Sequence, residues 1–237
     1  MKTINVNEII KTVKELSIEA NYYLPNDVKE AIEEAEKNEK WPIANNILNK
    51  ILENSQIAAA EKMPICQDTG MACVFVDIGQ DVHITGGSLE EAINEGVRQG
   101  YAEGFLRKSV VKDPIHRVNT NDNTPALIYY NMVPGDKVKI TVAPKGFGSE
   151  NMSRIAMLKP SDGLEGVKNF VLETVRMAGP NPCPPIVIGV GIGGSFDKAA
   201  YLAKKALIRP VNENNTDEFY SNLEKELLEE VNKIGIG

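Results

Sequence analysis

Three cysteines are the residues of this chain most able to bind a metal or act as a nucleophile. Cys66, Cys73 and Cys183 are odd in number, are widely spaced, and form no CxxC pair. This pattern argues against a disulfide framework and against a local zinc knuckle. It leaves buried thiols, a reactive thiol, or ligands that the fold brings together.

The three cysteines lie in different surroundings. Cys66 lies in PICQDTG, a polar turn whose backbone N–H groups could stabilise a thiolate, although a part-buried inert thiol is equally compatible. Cys183 lies in NPCPP, whose prolines stiffen the backbone, which suits either a directed ligand or a plain connecting loop. Cys73 lies in the apolar run ACVFV, so we predict that it is a core residue.

Two glycine-rich segments could also contribute to a site. Gly189, Gly191 and Gly194 have the GxGxxG spacing, and we predict a strand before them and a helix after them, which is the setting of a dinucleotide-binding loop. No clear second βα unit follows, so close packing of strand against helix is the simpler interpretation. The other segment, KGFGSEN, is a turn that matters only if it faces the cysteines.

The charged and titratable residues give weaker signals. Arg107 and Lys108 follow a predicted helix, where they could complement the helix dipole or clamp a carboxylate. No motif surrounds His83 or His116, and we predict structural or surface roles for both. The formal net charge of -7 argues against a nucleic-acid partner.

Taken together and in this order, the segments resemble the alpha part of class I, iron–sulfur fumarate hydratases and L-tartrate dehydratases. The resemblance covers most of the chain, from the third predicted helix to the end. It is carried by PICQDTG at 64–70, EGFLRKSVV at 103–111, KGFGSEN at 145–151, NPCPPIVIGVGIGG at 181–194 and DKAAYLAKKAL at 197–207.

The resemblance implies a [4Fe–4S] cluster held by three cysteine thiolates, with one iron left open. Cys66 and Cys183 fall on two of the three ligand positions. In the family the third cysteine lies beyond a GIGPxGLGG-like stretch, and this sequence stops at Gly237, within the GIG of that stretch. We therefore expect the chain to be truncated at its C-terminus and to lack the third cluster ligand.

The resemblance also implies a reaction, and site residues that serve it. The reaction is the reversible hydration of a small dicarboxylic acid, fumarate to malate first and tartrate dehydration second. Asp68 matches an acid–base and substrate position, Gln67 a substrate contact, Arg107 a carboxylate-binding residue, and Gly148 a loop whose backbone approaches the substrate. A beta subunit would supply further groups in an alpha2beta2 enzyme, so this chain alone should be inactive.

The elements that would position these residues follow from apolar periodicity. We expect an α/β or α+β fold in one domain over 1–237, with a helical N-terminal region at 1–62 and a mixed αβ part after it. Predicted strands cover 71–79, with 82–85 as its partner, then 126–133 and 136–145 joined by a PGD turn, and 185–194. Predicted helices cover 88–105, 162–178, 195–207 and 216–235.

Two other functions remain open from the residues alone. One is a nucleotide-binding module that uses the Gly189–Gly194 loop, and the other is a non-catalytic scaffold subunit. The N-terminus shows no secretory signal, and no run of about 20 apolar residues could span a membrane, so we expect a cytoplasmic location.

Overall fold

A computed structural model describes residues 2–236 and shows an α/β fold. Gly237, at which the sequence predicts truncation, lies outside the described residues. The strands are β1 (Lys2–Asn5), β2 (Met71–Gly79), β3 (Val82–Thr85), β4 (Leu127–Val133) and β5 (Val138–Lys145). The helices are α1 (Val6–Tyr22), α2 (Asn26–Asn38), α3 (Pro42–Glu61), α4 (Leu89–Glu103), α5 (Phe147–Glu150), α6 (Gly163–Ala178), α7 (Phe196–Ala206) and α8 (Glu218–Asn232).

The chain divides into two compact units. Unit 1 comprises Met1–Pro25 and Asn49–Phe147, and unit 2 comprises Asn26–Leu48 and Gly148–Gly237. The sequence expectation of a single domain over 1–237 stays a prediction. Each unit is described by itself below.

Unit 1 is built on a three-stranded sheet with the order β4-β2-β5. β2 runs parallel to β4 and antiparallel to β5. It takes the central place because five consecutive residues, Ala72 to Val76, are buried, a pattern typical of a strand covered on both faces. The strands 126–133 and 136–145 therefore flank β2, and they do not pair with each other as the PGD turn suggested.

A second, two-stranded sheet in unit 1 corrects two expectations. β1 pairs in parallel with β3, with Lys2 opposite Val82 and Asn5 opposite Thr85. The prediction that 82–85 pairs with 71–79 is therefore wrong. The region 1–62 is also not entirely helical, because Lys2–Asn5 forms a strand whose partner lies 80 residues away along the chain.

Helices α1 and α4 pack closely against each other in the core of unit 1. A Cβ placed at Gly96 would lie 2.7 Å from Cβ of Val13, and one at Gly100 would lie 2.8 Å from Cβ of Ser17. Glycine on α4 is thus what allows the two helix backbones to approach. The fully buried core residues around this contact are Val13, Val74, Val76, Ile93, Val97 and Tyr101.

Unit 2 consists of helices and extended segments, and within its described residues no strand is formed. The predicted strand at 185–194 is extended chain instead, and residues 184–194 make no backbone–backbone hydrogen bond with any residue in 2–236. A run of apolar residues satisfies the sequence rule for a strand, but a strand also needs a hydrogen-bonded neighbour. The helix predictions hold: α6, α7 and α8 lie where expected, and Gly179 caps the end of α6.

No helix in residues 2–236 is both long enough and apolar enough to cross a membrane.

Candidate functional site

The loop that carries Cys66 is anchored at its start. We call residues 62–70, between α3 and β2, loop A. The backbone N–H of Ile65 donates to the carbonyl oxygen of Asn21 at 2.9 Å, and its carbonyl oxygen accepts from Nδ2 of Asn54 at 2.9 Å. These bonds tie loop A to α1 and α3, so the polar residues that follow start from a fixed position.

Asp68 is held by two backbone amides, one for each carboxylate oxygen. Oδ1 accepts from Gly70 N at 3.0 Å, and Oδ2 accepts from Phe147 N at 3.0 Å. Glycine is needed around it: a Cβ at Gly146 would lie 3.2 Å from Oδ2, and one at Gly70, where φ is +63°, would lie 2.3 Å from the Lys145 carbonyl. The half-buried carboxylate is therefore fixed in place and still has unused lone pairs that can accept a proton.

Cys66 and Gln67 lie exposed at the tip of loop A. The backbone N–H of Asp68 donates to Sγ of Cys66 at 3.4 Å, and the thiol lies 3.4 Å from Oε1 of Gln67. The sequence left open the choice between a reactive thiol and a part-buried inert one. Cys66 is exposed, so the part-buried arrangement is not the one found, and the sulfur is accessible to a ligand.

Arg107 lies beside loop A because its backbone binds Thr69. It belongs to loop B, residues 104–126, which connects α4 to β4. Oγ1 of Thr69, which is buried, accepts from Arg107 N at 2.9 Å and donates to Arg107 O at 3.3 Å. The side chains of Arg107 and Lys108 are exposed and make no ion pair or hydrogen bond with any other residue in 2–236, so both cations are available to an anionic ligand.

Two buried side chains that the sequence analysis did not single out join loop A to loop B and to α4. Asn123 donates to Gly70 O at 3.1 Å, and the hydroxyl of Tyr101 donates to Thr69 O at 2.8 Å. Burial raises the pKa of Tyr101, which keeps its hydroxyl a donor. The only sequence signal for Asn123 is its place in the polar stretch NTNDNTP, since only the fold brings it to Gly70.

Cys183 and Gly148 belong to unit 2 and are described there. Cys183 is exposed, has φ of +60°, and sits in a turn closed by its own N–H to Pro180 O at 3.0 Å. Its thiol lies 3.9 Å from Asn181 O. Gly148 approaches the same carbonyl oxygen, because a Cβ there would lie 3.0 Å from it. Within unit 2, then, the Gly148 backbone and the Cys183 turn are neighbours.

Two thiols, Cys66 in unit 1 and Cys183 in unit 2, each have the accessibility that an iron–sulfur ligand needs. Cluster ligands are accessible cysteine thiolates stabilised by hydrogen bonds, and Cys66 and Cys183 are both exposed. Cys73 does not fit, because it is 1% exposed in the middle of β2, which confirms its prediction as a core residue. Among residues 2–236, no three His, Cys, Asp or Glu side chains gather closely enough to hold a metal ion.

The remaining sequence candidates are two glycines before α7 and two histidines. Gly189 and Gly191 press against α7, since added Cβ atoms would lie 2.2 Å from Ala203 O and 2.1 Å from Ala199 O. This agrees with the interpretation that the glycines allow close packing against a helix. The segment that packs is extended chain, however, and not the strand that the sequence predicted. His83 and His116 are exposed, as predicted for surface residues.

A cleft of about 640 Å³ in unit 1 does not suit a diacid. It lies between the N-termini of α1 and α4 and includes the carboxylates of Glu91 and Glu95. Its one cation, Arg98, is already paired with Glu95 and Asp122. None of the predicted site residues lines it, so within unit 1 the candidate site is formed by loops A and B.

Comparison of the sequence with known proteins identifies the family to which the chain belongs. The family model described as fumarate hydratase (Fumerase) matches residues 10–237. A protein of Methanocaldococcus jannaschii, provisionally named L(+)-tartrate dehydratase subunit alpha, is 48% identical over 236 residues, which cover 97% of this chain and 82% of the relative. Proteins of Escherichia coli and Shigella sonnei, named L(+)-tartrate dehydratase subunit alpha, are 31% and 30% identical over 98% of this chain and 77% of each relative. The chain belongs to the class I fumarate hydratase and tartrate dehydratase alpha-subunit family.

Proposed function

We propose that this chain is the alpha subunit of a hydro-lyase that reversibly hydrates a small dicarboxylic acid, with fumarate and malate as the first pair. One observation carries the proposal: the fixed carboxylate of Asp68 and the unpaired cation of Arg107 belong to adjacent loops joined through Thr69. Elimination of water from a 2-hydroxy diacid needs a base for the carbon-bound proton, and a cation can hold a substrate carboxylate beside that base. Family membership supports the hydro-lyase assignment.

Each site residue would have a distinct task in the elimination direction. Asp68 takes the proton from the carbon next to the hydroxyl-bearing carbon, and the C–H electron pair becomes the new double bond as the C–O bond breaks. The leaving hydroxide and the proton taken by Asp68 together make up the released water. Arg107 holds one substrate carboxylate by charge-assisted hydrogen bonds. Gln67 contacts the substrate from the exposed tip of loop A, and Gly148 presents backbone to it.

We also propose that Cys66 and Cys183 hold a [4Fe–4S] cluster. When bound, such a cluster supplies a Lewis acid at its open iron. The support is the pair of exposed thiols in stiff turns and the N–H directed at Sγ of Cys66. Cys73 is 1% exposed, so it does not fit as a third ligand.

The cofactor proposal is tested by iron and sulfide per chain after anaerobic reconstitution. We expect bound iron and sulfide in the parent chain, and a clear loss of both in Cys66→Ser and Cys183→Ser. Cys73→Ala is the matched control and should retain the parent amount. Equal iron in all four proteins would contradict the assignment of ligands.

A partner subunit completes the proposal. The relatives are named as subunits alpha, which supports a beta subunit and an alpha2beta2 assembly for this chain as well. We expect the isolated chain to show no turnover and the co-purified pair to show it. A folded pair that is iron-loaded and inert towards every diacid tested would instead favour a scaffold role.

Tartrate dehydration is the second candidate reaction, and the names of the relatives favour it. Malate and tartrate differ by one hydroxyl, so the two activities are compared directly on the same enzyme. A kcat/KM for L(+)-tartrate above that for malate and fumarate would replace the first candidate by the second while leaving Asp68 and Arg107 in the same roles.

A further inference from the structure

We propose that Asn123 is a positioning residue that sets the spacing between the Asp68 carboxylate and the Arg107 guanidinium. The inference rests on the proposed function, since those two groups are the ones that would hold the diacid. Asn123 is 0% exposed, so it touches no substrate itself and acts through the loops that it joins.

The side chain of Asn123 bonds loop A and loop B at the same time. Its Nδ2 donates to Gly70 O at 3.1 Å. Its Oδ1 accepts from Ser109 N at 2.7 Å and from Val110 N at 3.1 Å. A carboxamide is suited to this place because it donates from one end and accepts at the other.

The two ends of this bridge lie next to the two reactive residues. Gly70 donates its N–H to Oδ1 of Asp68, and Ser109 is two residues beyond Arg107. Thr69 binds the Arg107 backbone directly. Thr69 therefore holds the backbone of Arg107 itself, and Asn123 holds the backbone just after it, at Ser109. Both contacts connect this part of loop B to loop A.

Two further features show that the bridge depends on Asn123 itself. The hydroxyl of Ser109 is buried and has no hydrogen-bond partner within residues 2–236, so this residue is linked to Asn123 through its backbone alone. Asn123 also has φ of +62°, a conformation that asparagine adopts more readily than most residues. Both the backbone shape and the side-chain chemistry thus favour asparagine.

Asn123→Asp is the sharpest test because it changes one donor into an acceptor at nearly constant shape. An ionised carboxylate still accepts from Ser109 and Val110 but repels Gly70 O. At low pH the protonated carboxyl can donate to Gly70 O again. In the complex with the partner subunit we expect KM for the diacid to rise roughly 10-fold or more at neutral pH, with a smaller fall in kcat, and the excess over wild type to shrink as pH falls.

Asn119→Asp is the matched control. Asn119 lies in the same loop and donates to Lys108 O at 2.8 Å, but its side chain makes no hydrogen bond with loop A within residues 2–236. We expect its KM to stay within about 3-fold of wild type, in line with exposed polar contacts. An unchanged KM in Asn123→Asp, or a loss of folded protein with normal kinetics in the folded fraction, would overturn the positioning role.

Amide hydrogen exchange on the same proteins separates this inference from the proposed function. Asn123→Asp should speed exchange in both 66–70 and 107–110, whereas Asn119→Asp should affect loop B alone. If Asn123→Asp speeds exchange in only one of the two loops, the inference is rejected whatever the activity. If exchange rises in both loops but the complex turns over no diacid, the positioning role of Asn123 stands and the proposed function is rejected.

Discussion

At the scale of single residues, the chemistry depends on how Asp68 is held. Both carboxylate oxygens already accept a backbone N–H, so the side chain cannot swing away between steps. A fixed base near the substrate is what general base catalysis requires. The same two bonds mean that only a side chain with two acceptor oxygens satisfies this place.

Asp68→Asn should therefore cut turnover strongly. The amide cannot take a proton, and its NH2 group faces one of the two backbone donors, so one N–H loses its acceptor. We expect kcat to fall by roughly 10²- to 10⁴-fold, with iron content unchanged, measured as fumarate consumption by the complete enzyme. Turnover near that of wild type would remove Asp68 from the catalytic step.

Arg107→Gln should weaken substrate binding more than it slows chemistry. The guanidinium is exposed and unpaired within residues 2–236, so its loss leaves no buried charge behind. We expect KM to rise roughly 10- to 100-fold, the effect of losing a charged hydrogen bond. Arg117→Gln makes the same change at an exposed arginine of the same loop, and an equal KM increase there would show a general charge effect instead.

At the scale of elements, loop B is tied to α4 by one ion pair. Nε of Arg98 donates to Oδ2 of Asp122 at 3.0 Å, and the backbone N–H and hydroxyl of Thr124 donate to Oδ1. Burial raises the pKa of Asp122, but the bonds from Thr124 and Arg98 outweigh it and lower the pKa to about 2. Asp122 directly precedes Asn123, so this anchor also supports the bridge to loop A.

The free energy of unfolding should follow this depressed pKa. A carboxyl with a folded pKa below its unfolded value stabilises the fold above the unfolded pKa, and that contribution is lost as pH falls from about 4 to about 2. Asp122→Asn should cost on the order of 1 to 2 kcal/mol at neutral pH and almost nothing at pH about 2. Denaturant titrations of both proteins at both pH values measure this difference in the free energy of unfolding. An equal difference at the two pH values would contradict the role of the depressed pKa.

The extended segment before α7 gives a second prediction at this scale. A Cβ at Gly191 would lie 2.1 Å from a backbone oxygen of α7, whereas one at Gly193 meets nothing within 4 Å. Gly191→Ala should destabilise unit 2 by about 1 to 3 kcal/mol or more through overpacking. Gly193→Ala, where φ is +84°, should cost only about 1 kcal/mol for its backbone conformation. Hydrogen exchange in residues 196–206 would report the difference, and equal effects would refute the close packing.

Local sequence patterns predict the positions of the helices and strands well, but they predict poorly which strands pair with each other. The helices α4, α6, α7 and α8 follow from apolar periodicity. In α4 and α8 a side chain at the N-terminus also accepts a backbone N–H, as Ser88 does from Glu91 N. Strand partners depend on contacts between distant segments, which is why β3 was paired with the wrong strand. The same reason explains the missed bridge of Asn123, whose partner Gly70 lies 53 residues earlier.

At the scale of the whole molecule, the two cysteines that the sequence marked lie in different units. Loop A, with Cys66 and Asp68, belongs to unit 1, and the Cys183 turn with Gly148 belongs to unit 2. Each turn is stiffened by its own hydrogen bonds. The motifs could be predicted from the sequence because each is a short turn with its own chemistry, whereas the assignment of the turns to units follows from packing.

The measurement that tests the central claim most directly is turnover of fumarate, malate and L(+)-tartrate by the alpha chain co-produced anaerobically with its partner subunit. The account predicts hydration or dehydration of at least one of these diacids, abolished by Asp68→Asn in a complex with the same iron content. A folded, iron-loaded complex that converts none of them, or that keeps its rate in Asp68→Asn, would contradict the account.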